Sequence, residues 1–430
     1  MSLEWMIWLL LFGALLLGVP IYAALGMATT IALLLSDIPL SIIPLDLYKI
    51  SAMFPLIAVP AFVFAGALME RGGMAQQIVD VASVAVGRVR GGLALVTIIG
   101  CMFFAAMIGS GPGTVAAMGA LMIPSMVRHG YSKDYAAGVS ATGGTIGILI
   151  PPSNPMIIYG VVGNVSISTL FMAGFIPGFM VGGSLMLTSY IIARKKGYRG
   201  SAEKYSFGDF LRIVKRSFWS LMAPVIILGG IYAGIFTPVE ASVIAVIYAF
   251  LVGAFITKKL RWQEIWDSFR LTNLTTGTVI IVVGVSLLFG RFVTMYQVPQ
   301  KLAEVILGIS TDPQVVLIMI TLFLFFLGMF METLATVVIL TPVVLPLLKQ
   351  IGVDPVHFGI LLVMTNEVAM LTPPLGVNLF VAMGLTGLPL ERMAKASLPF
   401  MLAVIVCVFL VLFFPEIPLF LPKLLGGYGQ

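Results

Sequence analysis

Pro151, Pro152 and Pro155 fall close together in ATGGTIGILIPPSNPMIIYG (Ala141–Gly160), with Ser153 and Asn154 between them. A proline cannot donate to the carbonyl four residues earlier. These three therefore release the carbonyls of Gly147, Ile148 and Pro151. A similar group lies in MTNEVAMLTPPLGVNLFVAMGLTGL (Met364–Leu388), where Pro373 and Pro374 release the carbonyls of Ala369 and Met370. Asn366, Thr372 and Asn378 stand beside them. Two further breaks carry Ser110 and Thr114 in GSGPGT (Gly109–Thr114), and Thr333 and Thr336 after Met331-Glu332. Carbonyls, hydroxyls and amides without thiolate or imidazole suit a hard monovalent cation held at broken helix ends. The competing reading is that these prolines only kink packed helices, with small residues for close contact.

The charges add two candidates. An ionisable residue within a membrane is a functional hypothesis by default. Glu332 and Glu367 are such residues, and each can help bind a coupling ion, carry a proton or cap a half-helix. Arg291, at the end of an apolar span, either snorkels to the interface or meets a substrate carboxylate. GSGPGT follows an apolar stretch and lacks the lysine of a phosphate-binding loop. No acid/base pair, nucleophile–base arrangement or metal cluster supports an enzyme reading. No span has the sustained polar face of a channel. Cys101 and Cys407 sit in apolar segments and read as small buried hydrophobes, and His129 and His357 are isolated.

These residues must be positioned by membrane helices. The 430 residues are 60% hydrophobic and 10% charged, with a mean hydropathy of +1.11. Soluble domains carry about 25% charged residues, and the apolar runs lack the period-two pattern of barrel strands. The chain reads as an all-α polytopic membrane protein. Its net charge of +6 comes from basic residues at the ends of spans, where the positive-inside rule places them, so nucleic acid is excluded as a partner. The opening MSLEWMIWLLLFG has no basic region and no small-residue cleavage site, and is expected to be a first membrane helix.

The pattern occurs twice. Pro151-Pro152 and Pro373-Pro374 are 222 positions apart, and the same offset pairs Phe103-Phe104 with Phe325-Phe326, Thr114 with Thr336, Pro124 with Pro346 and Pro177 with Pro399. The central stretch Arg194–Arg216 holds eight basic residues against Glu203 and Asp209, which marks it as cytoplasmic. Basic residues flank the Gly92–Val127 hairpin on both sides, so it is expected to enter from the cytoplasm. Its counterpart, about Gln314 to Lys349, lacks them and should enter from outside. The expected fold is two inverted repeats, each with three scaffold helices, a re-entrant hairpin, a broken helix and a closing helix. In domains, this gives scaffold over 1–91, hairpin and broken helix over 92–193, a basic linker over 194–216, scaffold over 217–313, and the second hairpin and broken helix over 314–430.

Five motifs carry a family resemblance: VPAFVFAGALMERGG (Val59–Gly73), GSGPGTVAAMG (Gly109–Gly119), GILIPPSNPMIIYG (Gly147–Gly160), GIFTPVEAS (Gly234–Ser242) and LTPPLGVNLF (Leu371–Phe380). With them the chain resembles the large membrane subunit of TRAP transporters (tripartite ATP-independent periplasmic transporters), a branch of the ion-transporter superfamily. The resemblance implies an elevator-type transporter in the bacterial inner membrane, in which the hairpins and broken helices move against a scaffold. It implies Na⁺ as coupling ion and no cofactor. It also implies an organic-acid substrate such as a sialic acid or a C4-dicarboxylate, a periplasmic substrate-binding protein, and a small four-helix membrane subunit, here expected on a separate chain. The Na⁺ sites it implies draw on Ser110, Gly144, Gly147, Ile150 and Pro151, and on Thr333, Met370, Thr372 and Pro373, in part through backbone. Thr114, Ser153, Asn154, Thr336, Asn366 and Asn378 would face substrate. The alternative is a self-sufficient Na⁺- or H⁺-coupled carboxylate carrier or antiporter of the same superfamily.

Overall fold

In a computed structural model, residues 9–11, 13–14, 17, 19–36, 39–200 and 206–428 are described. Most of the first expected helix, the start of the chain and Glu203 lie outside them. The described elements are helices. The first half contains α1 (Ile21–Leu35), α2 (Ile42–Ser51), α3 (Ala58–Arg71), α4 (Met74–Val86), α5 (Gly92–Ile108), α6 (Gly111–Arg128), α7 (Lys133–Gly143), α8 (Asn154–Gly163) and α9 (Ile167–Lys196). After the linker come α10 (Phe207–Tyr232), α11 (Pro238–Leu251), α12 (Trp262–Met295) and α13 (Val298–Ile309). The chain then runs through α14 (Pro313–Gly328), α15 (Thr333–Gln350), α16 (Pro355–Ala369), α17 (Val377–Thr386), α18 (Leu390–Phe413) and α19 (Glu416–Gly426). Among the described residues, six helical stretches are long and apolar enough to cross a membrane: Phe54–Arg71, Ile167–Lys196, Pro238–Ile256, Trp262–Met295, Thr333–Gln350 and Leu390–Phe413.

Local chemistry sets the ends of these helices. Ser206 and Asp209 form a capping box at the start of α10, and Thr237 and Glu240 form another where the chain turns into α11. Each box supplies partners for amides that a helix N-terminus leaves open. Hydrogen bonds from Ser206, first its backbone amide and then its hydroxyl, hold the exposed Asp209 carboxyl below its ordinary value. At the other end of the hydropathy scale, α5 is apolar nearly all round and almost wholly buried. That pattern marks a helix packed inside protein on every side.

The 222-residue offset holds for whole elements: α6 and α15 coincide at both ends, and α5, α7, α8 and α9 match α14, α16, α17 and α18 at their starts to within one residue. The matched α9 and α18 pack together in opposite directions. Lys195 and Lys196 at the end of α9 share a cavity with Arg392 and Lys395 at the start of α18, and Cys407 further along α18 reaches the Met180 carbonyl in mid-α9.

Two groupings surround the broken segments. Helix α3 packs on both α11 and α12, and α4 packs on both α10 and α5. The second grouping gathers α5–α9 with α14–α18, its arms joined through α7 on α18, α8 on α15 and α6 on α17. Both cysteines are buried, as the sequence indicates. Arg291 does not stand free for substrate: its half-exposed side chain donates through Nη1 to both carboxylate oxygens of the buried Asp46, at 2.9 and 2.7 Å. The pair fastens α12 to α2. The sequence reading missed it because 245 positions separate the partners.

Candidate functional site

The first hairpin tip is built by Gly109 and Ser110. Gly109 ends α5 in the left-handed region (φ +66°), and Ser110 caps α6 by accepting from the Gly113 amide at 3.4 Å. The fully buried Thr114 donates its hydroxyl to the Ser110 carbonyl at 2.8 Å. Gly147 lies against this tip so closely that a Cβ there would stand 2.5 Å from the Ser110 carbonyl oxygen and 2.7 Å from Thr114 Oγ1. Only glycine fits.

The first break follows a short 3₁₀ turn, Gly144–Ile148. Both Pro151-Pro152 and Pro373-Pro374 are joined by cis peptide bonds. Ser153 caps α8, accepting from the Met156 amide while its own hydroxyl donates to the Ile148 carbonyl. The Asn154 amide reaches back to the Gly109 carbonyl at 3.3 Å. Ile150 and Pro151 are buried in this turn.

The second break is closed differently. Thr372 donates its hydroxyl to the Val368 carbonyl at 2.7 Å and its amide to that of Ala369 at 3.1 Å. The Asn378 amide takes the Met370 carbonyl at 3.2 Å. This corrects part of the sequence expectation. Of the carbonyls released by proline, those of Ile148, Ala369 and Met370 are taken up again, by Ser153, Thr372 and Asn378. Buried backbone acceptors seldom stay unpaired, and here residues a few positions on supply the missing donors.

Asn378 also crosses between the halves. Its Nδ2 donates to the Ala141 carbonyl on α7 at 3.1 Å. A Cβ on Gly111 would meet Met370 Sδ at 2.7 Å and Asn378 Oδ1 at 3.3 Å. Met370 and Asn378, expected with the second half, therefore stand at the first hairpin tip. The second tip joins the group through the second break, where the Leu375 amide donates to the Met329 carbonyl at 3.1 Å. Thr333 and Thr336 are buried on α15, and Thr336 donates to the Glu332 carbonyl at 3.1 Å. Pro373 is half-buried at this turn. The order of contact is thus first break, first tip, second break, second tip.

The donor set has a consistent character. Thr114, Ser153, Thr336 and Thr372 commit their hydroxyl protons to backbone carbonyls, which leaves oxygen lone pairs as their remaining capacity. Asn154, Asn366 and Asn378 are buried, and the Oδ1 of each has no hydrogen-bond partner among the described residues. The Asn366 Nδ2 is taken by the Leu362 carbonyl at 2.8 Å. Acceptor oxygens are what this core has to spare.

The two carboxylates part company. Glu332 caps α15, with Oε2 accepting from the Leu334 amide at 3.0 Å. Glu367 is fully buried on α16, and neither carboxylate oxygen has a partner among the described residues. Among the described residues no group of His, Cys, Asp and Glu is placed to hold a metal ion through such side chains.

The family profile described as "Tripartite ATP-independent periplasmic transporter, DctM component" matches residues 7–417. The chain is 40% identical over 407 residues to the isethionate TRAP transporter permease protein of Oleidesulfovibrio alaskensis, across 94% of this chain and 64% of that protein. To the C4-dicarboxylate TRAP transporter large permease protein of Pseudomonas aeruginosa it is 37% identical, covering 94% of both. The sialic acid TRAP transporter large permease protein of Vibrio cholerae is 39% identical across 88% of both. In fold it is similar to the YdaH transporter of Alcanivorax borkumensis, with a TM-score of 0.64 at 13% identity over 86% of this chain and 87% of that one. The broken-helix core and these relatives lead to one conclusion: this multi-pass membrane protein belongs to the DctM-component family of tripartite ATP-independent periplasmic transporters.

Proposed function

We propose that the chain is the permease of a Na⁺-driven uptake system for a small organic acid in the bacterial inner membrane. The observation that carries the reading is the convergence of the first tip and both breaks on Gly111, Gly147, Met370 and Asn378. Around it stand buried amide oxygens and hydroxyl lone pairs, the ligand set of a weakly held monovalent cation. Ser110, Gly144, Gly147, Ile150 and Pro151 would bind Na⁺ in the first half, and Thr333, Met370, Thr372 and Pro373 in the second. Thr114, Ser153, Asn154, Thr336, Asn366 and Asn378 would contact substrate. The antiparallel course of the matched α9 and α18 supports inverted repeats. The dense packing among the hairpins and breaks supports their moving together past the α3, α10–α12 scaffold. The substrates named for relatives make a C4-dicarboxylate, a sialic acid or a sulfonate such as isethionate the first to test. A small membrane subunit and a periplasmic binding protein complete the proposed system.

A second reading, with H⁺ as coupling ion, is favoured by the buried and unpartnered Glu367. Proteoliposomes with an imposed inward Na⁺ gradient separate the two. Uptake is measured for each candidate acid, with and without the small subunit and binding protein. Uptake that needs Na⁺ and both partners is the expected result. Uptake by this chain alone supports the self-sufficient carrier. Uptake driven by a pH gradient without Na⁺, and lost in Glu367→Gln, overturns the Na⁺ reading.

A further inference from the structure

We propose that the facing ends of α9 and α18 form a headgroup site for an anionic glycerophospholipid of the cytoplasmic leaflet. A cavity of about 480 Å³ opens there, and Lys195, Lys196, Arg392 and Lys395 converge on it from two helices. Arg392 is held by Asp134 at 2.7 Å, and Lys395 by Glu391 at 2.7 Å. Among the described residues no carboxylate pairs with Lys195 or Lys196, so the cavity keeps a net positive charge. The start of α18 adds the positive end of its helix dipole.

The setting selects a lipid over a soluble anion. Lys195 and Lys196 close a candidate span, which puts their ammonium groups at headgroup depth. Below them the exposed surface turns apolar, with Ile191 on α9 and Leu398 and Leu402 on α18. Acyl chains can lie along that face while the phosphodiester occupies the cavity. Basic pockets between membrane helices on the cytoplasmic side bind anionic headgroups in this way. Arg392 stays locked to Asp134 and shapes the wall, and Lys195 and Lys196 supply the free charge.

The test uses the full chain in nanodiscs of phosphatidylcholine, alone or with 20% phosphatidylglycerol. Lipid retained after transfer to detergent is read by native mass spectrometry. The wild type is expected to keep phosphatidylglycerol in preference to phosphatidylcholine. Lys195→Gln/Lys196→Gln/Lys395→Gln should weaken that retention about 25-fold, at roughly fivefold for each of the two unpaired lysines. Arg212→Gln/Lys215→Gln/Arg216→Gln removes the same charge from the nearby start of α10 and should leave it unchanged. Equal losses in the two triple variants would overturn the site in favour of diffuse surface charge. Displacement of the lipid by millimolar glycerol phosphate would overturn it in favour of a soluble anion, as would equal retention of the two lipids.

Discussion

Replacing Gly147 with alanine tests the core of the site with a single methyl group. The new Cβ would stand 2.5 Å from the Ser110 carbonyl oxygen and 2.7 Å from Thr114 Oγ1, against an ordinary contact of 3.4 Å or more. The obstruction is backbone at the first tip, so no side-chain rotation relieves it. Overpacking of this kind costs about 1–3 kcal/mol, and relief must come by moving the tip away from the break. Gly183→Ala is the control. It is the same change within α9, where nothing lies within 4 Å of the added methyl, and in a helix interior it should be neutral or stabilising by about 0.5–1 kcal/mol. The assays are thermal unfolding in detergent and the Na⁺ dependence of uptake in proteoliposomes. Gly147→Ala should unfold earlier than wild type. If Na⁺ sits between tip and break, its half-saturating concentration should rise about tenfold for each 1.4 kcal/mol of misfit the bound state must bear. A Gly147→Ala protein that unfolds and responds to Na⁺ as wild type does would refute the argument. Lower stability with unchanged Na⁺ dependence would keep the packing and refute the placement of the ion.

Two further outcomes follow from polar contacts away from the tips. Arg291→Gln should cost about 1–2 kcal/mol, reduced from the full price of a broken buried pair because the guanidinium is half exposed. The Arg291→Gln/Asp46→Asn double variant should recover part of that loss, read by thermal unfolding, and strict additivity would refute the coupling. At the linker end of α10, the depressed Asp209 carboxyl contributes stability above its unfolded value of about 3.9 and loses it as pH falls through the lower folded value. Amide protection in the first turn of α10 should therefore fall as the pH drops below about 4. Ser206→Ala should have weaker protection already at pH 6 and a smaller change on acidification, measured by hydrogen exchange. Unchanged protection in Ser206→Ala would show that the box does not hold the turn.

What could be read from sequence was whatever proline, glycine and basic residues write locally. The two hairpins lie within a residue or two of the expected bounds, because GSGPGT and Met331-Glu332-Thr333 are strong interruptions in otherwise unbroken apolar runs. The offset of 222 carried over to element starts for the same reason. What stayed hidden was pairing at long range. Asn378 was legible as a polar residue near a break, yet nothing in its neighbourhood tells that its amide reaches Ala141, 237 positions earlier. Proline logic identified the donors lost along each helix, but Ser153 and the Asn378 amide restore two of them from outside the helical register. Glu332 and Glu367 looked alike in sequence, and only their surroundings separate a helix cap from a buried, unpartnered carboxylate.

That separation bears on how such a core would move. The first tip is bound to both breaks and the second tip to one of them, by backbone amides and by contacts that tolerate no added methyl group. Bonds of this kind hold the hairpins and broken helices in fixed relation: Asn154 to Gly109, Asn378 to Ala141, Leu375 to Met329, and Tyr159 to the Pro355 carbonyl at 2.6 Å. Against α10 the contact has another character. Tyr232 donates to the Phe171 carbonyl at 3.1 Å, but beside it lies a cavity of about 510 Å³ walled by Ile99, Met102, Phe175, Val225 and Leu228. Smooth apolar surfaces separated by such a gap can slide at small cost, because little directional bonding is broken. An ion site that opened by parting tip from break would sacrifice the polar bonds that build it. A site carried whole past α10 would sacrifice almost none. Distances measured between spin labels on α6 and α17, and between α6 and α10, can decide this during a Na⁺ jump. Movement confined to the second pair fits a unit carried intact, and movement within the first pair would instead require the tips to open.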